Sequence, residues 1–512
     1  MVYPGRPSTG CMTCRTRRIK CDEQRPHCKA CLRTGRECPG YPHPLDVVLR
    51  PQSQAVFKRR GGPAQHNRKE TVPSPDSSGS ANSLSPSTST STPASGISPI
   101  SICSQIPGGL YLPMEDSVTA LFFNSYIYSP RDPLIRPGSM ECLPQLYGAA
   151  PYDSHLRLGS LAIAYFSVAA WMRQEHLLLL AQQCFGKALS KFRMALMGDV
   201  EAGYDEILMT LVLLYIYEEF VAVKENKPSP KHHLRGAIAL ITSCSPERRR
   251  SPLSDTLTNA IQGEIICSAM DEAAPLVRTP ESWPLSPGIP QLASSRLMMI
   301  SATLVKLRER WVELCACTEM TIDEIEGILS DARNIDEQFV AWTQSLPEHW
   351  YPAPATVVPQ SVRDAGVYDN RCDCYTDIWI AGTWNNYRTF RLSVQSIIYR
   401  CLALLPHTYQ TGHEMDLTTN TIHGLAADIC ASVPYYLGSQ TSLVRITDMR
   451  VNYPSADSKG VSRQQTQLIG GWILRPALET LCSVDNLPGE LLEWAKGQLA
   501  RVQRIYTSGL VH

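Results

Sequence analysis

The sequence predicts a two-part protein: a small, metal-organised module with two short helices, then a large all-α domain, joined by a disordered linker. Three observations predict this. Six cysteines (Cys11, Cys14, Cys21, Cys28, Cys31 and Cys38) crowd into the first 38 residues in the order C-x2-C-x6-C-x6-C-x2-C-x6-C, the second half repeating the first at an offset of 17. Residues 71–107 are dominated by Ser, Thr, Pro and Gly. From about 110 onward the composition becomes globular, with helical periodicity and almost no strand alternation. The expected boundaries are a disordered tail at 1–10, the module at 11–41, a basic and then Ser/Thr/Pro-rich linker at 42–109, and the all-α body at 110–512.

The module comes first. A structural zinc ion takes four tetrahedral ligands, with thiolate sulfurs at about 2.3 Å. Two ions need eight ligand positions, and six cysteines supply eight only if two of them bridge. Equivalent positions in a duplicated motif should play equivalent roles, so Cys11 and Cys28, which open the two halves, are the expected bridging pair. One zinc then takes Cys11, Cys14, Cys21 and Cys28, and the other takes Cys28, Cys31, Cys38 and Cys11. Between Cys11 and Cys38 the larger apolar side chains are only Met12, Ile19 and Leu32, so the metal must supply the folding energy. A disulfide framework would suit a small secreted domain, but MVYPGRPSTG carries no apolar run of signal-peptide length. A one-zinc site leaves the duplication without a purpose.

The residues filling the motif are asymmetric in charge. Six residues follow each C-x2-C, room for a short helix. In the first half they are Arg15, Thr16, Arg17, Arg18, Ile19 and Lys20; in the second they are Leu32, Arg33, Thr34, Gly35, Arg36 and Glu37. The first segment is therefore expected to face nucleic acid and the second to support it. Residues 1–70 hold 15 Lys/Arg against 5 Asp/Glu, a net +10, in a chain that is neutral overall. A basic head on an acidic body is the electrostatic footprint of a DNA reader with a separate effector region.

The string GCMTCRTRRIKCDEQRPHCKACLRTGRECPGY (residues 10–41) resembles the fungal binuclear-cluster (Zn2Cys6) transcription factors, with no gap in ligand spacing. The resemblance implies a nuclear, zinc-dependent, sequence-specific DNA-binding regulator of RNA polymerase II genes. A helix N-terminus after the first C-x2-C would enter the major groove of double-stranded DNA at a CGG-type triplet. Arg17 and Arg18 stand where the family places its base-reading pair, and arginine's fork pairs bidentately with guanine O6 and N7. Arg15 and Lys20 are assigned to phosphates, and Lys29 and Arg33 to further backbone contacts. Pro26 sits in the joining loop, where the family often has a proline. The alternative is a zinc-dependent protein-interaction module, or a corepressor, that makes no direct DNA contact.

The linker follows. Lys58-Arg59-Arg60 suits nuclear import or phosphate contact. No apolar heptad pattern runs between 40 and 110, and the prolines at 42, 44, 51, 63, 73 and 75 forbid a coiled coil there. The expected partners are therefore DNA and the transcriptional machinery or its coregulators. A homodimer would have to form without an evident coiled coil.

The body is read as helices in order. Leu158, Leu161, Ala162, Tyr165 and Ala169 fall on one face, as do Leu178, Ala181, Phe185, Leu189, Phe192 and Leu196, with Gly198 as a C-cap. Residues 207–217 are apolar all round but too short to span a bilayer, so they predict a buried helix and no membrane association. Thr321 and Glu324 form a capping box. Further helices are expected near 292–315, 375–404, 421–432, 465–482 and 488–507. Segments 233–241, 387–402, 429–438 and 470–481 resemble the fungal-specific transcription-factor regulatory region, which implies an all-α regulatory domain. The body contains no H-E-x-x-H, no phosphate-binding glycine loop and no G-x-S-x-G elbow, so no enzymatic activity is expected. Cys315-x-Cys317 and Cys372-x-Cys374 are too tight for a structural zinc pair and are expected to be free thiols.

Overall fold

The structure is a computed structural model. The described residues are Cys11–Cys38 apart from 12, 15, 16, 18, 23, 25, 26 and 37, and 113–507 apart from 173, 245–250, 271–291, 318, scattered positions in 356–365, and 438–444, 447–448 and 451–460. The expectations for the tail, the linker, the basic run at 58–60, the missing coiled coil, Arg15, Arg18 and Pro26 lie outside them. The chain divides into two compact units, Met1–Gln105 and Ile106–His512.

In the first unit Thr13 and Cys14 are helical, and the helix described from end to end is α1 (Lys29–Arg33). It begins inside the second C-x2-C rather than after it, because Cys28 is its N-cap and its side chain accepts a hydrogen bond from the Cys31 N–H. Gly35 ends it in the left-handed conformation, at φ 61°, which only glycine adopts without penalty. The glycine among the six residues after the second C-x2-C is therefore a stop signal.

The second unit is all-α. Its helices are α2 (Met114–Tyr126), α3 (Leu143–Ala149), α4 (His155–Met172), α5 (Glu175–Leu196), α6 (Tyr204–Glu225), α7 (His232–Ser243) and α8 (Pro252–Ala269). They continue as α9 (Ala293–Ala316), α10 (Ile322–Gln344), α11 (Ile378–Leu404), α12 (Tyr409–Tyr436), α13 (Val461–Ser483) and α14 (Gly489–Thr507). Strand structure among the described residues is limited to two antiparallel ribbons of two-residue strands: β1 (Ala353–Pro354) with β2 (Asp373–Cys374), and β3 (Arg445–Ile446) with β4 (Met449–Arg450). One apolar core runs from Val118 to Tyr506. Within it α4 packs on α2, α5 and α6, and α11 packs on α10, α12 and α13. No described helix is long and apolar enough to cross a membrane.

Sequence patterns located these helices better than they located their buried faces. The apolar run 207–217 lies inside α6, where every side chain from Ile207 to Leu214 is buried. Thr321 and Glu324 close the capping box that starts α10, the Thr321 hydroxyl accepting from the Glu324 N–H and the Glu324 carboxylate from the Thr321 N–H. By contrast, α4 is buried almost all round from Gly159 to Phe166, not along one stripe. The buried face of α5 is Leu177, Ala181, Cys184, Ala188 and Phe192. It is rotated from the expected stripe because the larger Leu178, Phe185 and Leu189 lie half-buried at its margin, while Leu196 is exposed. The helix caps at Met197, one residue before Gly198.

A close approach explains the Gly470-Gly471 pair. A Cβ at Gly470 would collide with the Tyr436 carbonyl oxygen, and one at Gly471 would crowd the Tyr506 hydroxyl at 3.0 Å. That hydroxyl donates to the Leu468 carbonyl, so α12, α13 and α14 meet at this point. Buried in α11, Arg388 donates to the Tyr375 hydroxyl and to Asn385 Oδ1, both at 2.8 Å, and lies over the Tyr375 and Trp384 rings.

Candidate metal centre and nucleic-acid interface

With so few apolar side chains, the module's interior consists of its cysteines: Cys11, Cys14, Cys28, Cys31 and Cys38 are buried and Cys21 is half-buried. Local backbone hydrogen bonds repeat with the 17-residue offset. The Cys14 N–H donates to Cys11 Sγ at 3.4 Å and the Cys31 N–H to Cys28 Sγ at 3.3 Å. The Ile19 N–H donates to the Cys14 carbonyl and the Arg36 N–H to the Cys31 carbonyl, both at 3.1 Å. The sequence duplication is thus a structural one, and each C-x2-C turn curls its backbone around the sulfur of its first cysteine.

This folding gathers two quartets of thiols: Cys11, Cys14, Cys21 and Cys28, and Cys11, Cys28, Cys31 and Cys38, each with all four sulfurs within 4.8 Å of one another. Cys11 and Cys28 belong to both. Four sulfurs at about 2.3 Å from one tetrahedral ion stand about 3.8 Å apart. Cys11 and Cys28 are 3.7 Å apart, as are Cys14 and Cys28 in the first quartet and Cys11 and Cys31 in the second. The donor set fits two zinc ions sharing two sulfurs. Burial pushes the thiols of Cys11, Cys14 and Cys31 upward, Cys31 to about 12. Protons therefore hold these sulfurs at neutral pH until a cation replaces them, and bound zinc supplies the charge that keeps them as thiolates.

Two partners escaped the sequence reading. Asp22, next to Cys21, accepts from the Lys29 N–H at 3.1 Å and the Ala30 N–H at 3.4 Å. It thus ties the end of the first half to the first turn of α1. Desolvation works against its charge, but those N–H groups and the Lys29 ammonium hold its carboxyl below the usual range. Its only sequence signal was an acid placed a few residues before a helix start. His27 Nδ1 lies 3.1 Å from the Cys38 carbonyl. Only an N–H can bond there, so that nitrogen is turned away from the metals.

Of the predicted nucleic-acid contacts, Arg17, Lys20, Lys29 and Arg33 are all exposed, on both halves of the module. In the body, Cys372 and Cys374 are buried and Cys315 and Cys317 are exposed. His233 pairs with Glu218 at 2.9 Å and packs edge-on against Phe185.

Comparison with known proteins agrees with this geometry. Residues 9–46 match the family model for the fungal Zn(2)-Cys(6) binuclear cluster domain. Residues 9–46 are therefore similar to the DNA-binding cluster of that family. The chain is 21% identical to transcription factor dbaG of Emericella nidulans over 404 residues, which cover 77% of this chain and 89% of that protein. Over the cluster it is 65% identical across 37 residues to the aspercryptin biosynthesis cluster-specific transcription regulator atnN of the same fungus. It is also 63% identical across 38 residues to transcriptional regulatory protein moc3 of Schizosaccharomyces pombe. These two matches cover 7% of this chain, and 6% and 8% of the respective relatives. No solved structure matches.

Proposed function

We propose that this zinc-dependent DNA-binding transcription regulator acts in the nucleus and reads a CGG-type triplet in the major groove through Arg17 and Arg18. Arg15 and Lys20 hold phosphates beside the triplet, and Lys29 and Arg33 contact the backbone from the second half. Residues 11–41 are the DNA-binding domain, and 110–512 are a non-enzymatic regulatory domain that meets coregulators or the transcriptional machinery. The observation that carries this reading is the set of exposed cations, Arg17, Lys20, Lys29 and Arg33, on a scaffold whose interior is thiols. Cations on such a scaffold can reach phosphates and base edges without leaving a hydrophobic core.

Selection of duplexes from a random pool by the full-length, zinc-loaded chain tests it. A CGG-type triplet should be enriched, and binding should fall steeply with salt as phosphate neutralisation requires. Arg17→Ala should cost about 1–3 kcal/mol and relax base preference. A pool that returns no preferred triplet, with binding to the coregulator fraction intact, would favour a protein-docking module and end this proposal.

A further inference from the structure

The outer face of α5 carries a mirror pattern that its own packing does not use. The helix buries Leu177, Ala181, Cys184, Ala188 and Phe192 against the body. At about 100° per residue, Glu175, Leu179, Gly186, Ser190, Arg193 and Met197 gather on the opposite side, within about 60° of one another, with Met194 at the margin. All seven are exposed. Leu179, Met194 and Met197 are 60%, 70% and 75% exposed, although each is a large apolar side chain. Single exposed apolar residues need no explanation, but several on one helix face mark an interaction surface.

The pattern is symmetric about Gly186. Glu175 and Leu179 stand eleven and seven positions before it, and Arg193 and Met197 seven and eleven positions after it. Such a face complements itself. When it is laid antiparallel on a second copy, with the two-fold axis at Gly186, Leu179 of one chain comes level with Arg193 and Met194 of the other. Ser190, Arg193, Met194 and Met197 have the i, i+3, i+4, i+7 spacing of a hole that accepts one side chain from a facing helix, and Leu179 is that side chain. The same operation brings Glu175 of one chain within about one helical turn of Arg193 of the other, and does so at both ends. A parallel pair would instead set Glu175 against Glu175 and Arg193 against Arg193. Gly186 lies on the axis, where the two backbones come closest. A Cβ there would meet nothing within 4 Å beyond its own helix backbone. The fold therefore gives no reason for a residue that weakens the helix, whereas a close approach from outside does.

We propose that the outer face of α5 is a docking surface for a second copy of this chain, packed antiparallel about Gly186 with Leu179 seated between Met194 and Met197 of the other copy. A charged partner of another kind has no reason to match an acid at one end and a cation at the other in mirror order. The 22-residue helix is about 33 Å long and about 10 Å across, a footprint of roughly 330 Å². That is well under the roughly 800 Å² that each partner gives to a stable complex, so the dimer belongs to the weak, micromolar class. The contact needs neither zinc nor DNA, and it stands or falls independently of the functional reading above.

Sedimentation velocity of the full, zinc-loaded chain without DNA, across the micromolar range, tests it. The parent should pass from monomer to dimer as its concentration rises. Leu179→Lys sets a cation against Arg193 of the second copy, and Met194→Glu sets a charge against Leu179. Each should weaken association by about tenfold or more, with helical circular dichroism and Tm unchanged because both side chains are exposed. Combined in one chain, the two introduced charges meet across the axis at both ends, and the double variant should regain most of the lost affinity. In a parallel pair the introduced lysines would face each other and no rescue would follow. Gly186→Leu reads the close approach separately: it favours the helix, so Tm should hold or rise while association weakens. Leu417→Glu, at a leucine on α12 that is 53% exposed, should associate like the parent. The proposal is overturned if the parent stays monomeric, if Met194→Glu or Gly186→Leu associates like the parent, if the double variant is no better than the single ones, or if Leu417→Glu weakens association as much.

Discussion

Replacing Cys28 and Cys38 by serine, one at a time, separates a shared thiolate from an unshared one. Cys28 Sγ sits 3.7 Å from both Cys11 and Cys14 and belongs to both quartets, whereas Cys38 belongs to one. A structural zinc is worth about 10–16 kcal/mol of binding free energy, or about 2.5–4 kcal/mol per ligand bond if spread over four. Cys38→Ser weakens one such bond at one ion, which lowers that ion's affinity by about 100- to 1000-fold. Cys28→Ser weakens one bond at each ion, about 5–8 kcal/mol in total. Native mass spectrometry of the full chain, dialysed against a graded zinc buffer, counts the ions retained. At intermediate free zinc, Cys38→Ser should hold one ion while Cys28→Ser holds none, and Cys11→Ser should behave like Cys28→Ser. If Cys28→Ser and Cys38→Ser lose metal along the same curve, the sharing of Cys11 and Cys28 is refuted.

Three predictions concern the body. Arg388→Met removes a buried guanidinium, takes the Arg388 donor from the Tyr375 hydroxyl and leaves Asn385 Oδ1 with only the Ser432 hydroxyl at 3.3 Å. At about 1–3 kcal/mol for each group that loses its donor, urea unfolding should show a loss of about 1–6 kcal/mol, and a loss below 1 would show the network to be dispensable. Gly470→Ala drives a methyl into the Tyr436 carbonyl and should lower stability by at least the 1–3 kcal/mol typical of overpacking; an unchanged Tm would mean that α12 and α13 part freely. Glu141 has both carboxylate oxygens buried without a well-formed hydrogen bond. Burial, helped by the charge of Glu264 and opposed by nearby backbone N–H groups, raises its carboxyl to about 7. An acid raised on folding penalises the native state above its unfolded value of about 4.3, and the penalty grows until pH passes the folded value. Glu141→Gln should therefore be neutral near pH 4 and increasingly stabilising up to about pH 7, by at most about 4 kcal/mol. A stability difference that stays flat with pH would contradict this.

The cluster was legible because its chemistry is written in ligand count and spacing, both of which survive any detail of packing. The start of α1 was not. The spacing suggested a helix after C-x2-C, but Cys28 caps it from within, and a cysteine carries no capping signal in a sequence. In the body, α6 and the cap of α10 were readable because a continuous apolar run and a Thr-x-x-Glu box are local patterns. The buried face of α5 was not, because Ala181 and Ala188 mark where a neighbouring helix comes close, while bulkier leucines sit beside them.

The Cys28 sulfur holds metal and also caps α1, accepting the Cys31 N–H at 3.3 Å. Removing zinc and releasing that helix are therefore one event at one atom. A chelator should act on this module as a switch, extinguishing metal, helix and DNA affinity together along one titration curve. The regulator's occupancy on DNA would then follow free zinc steeply.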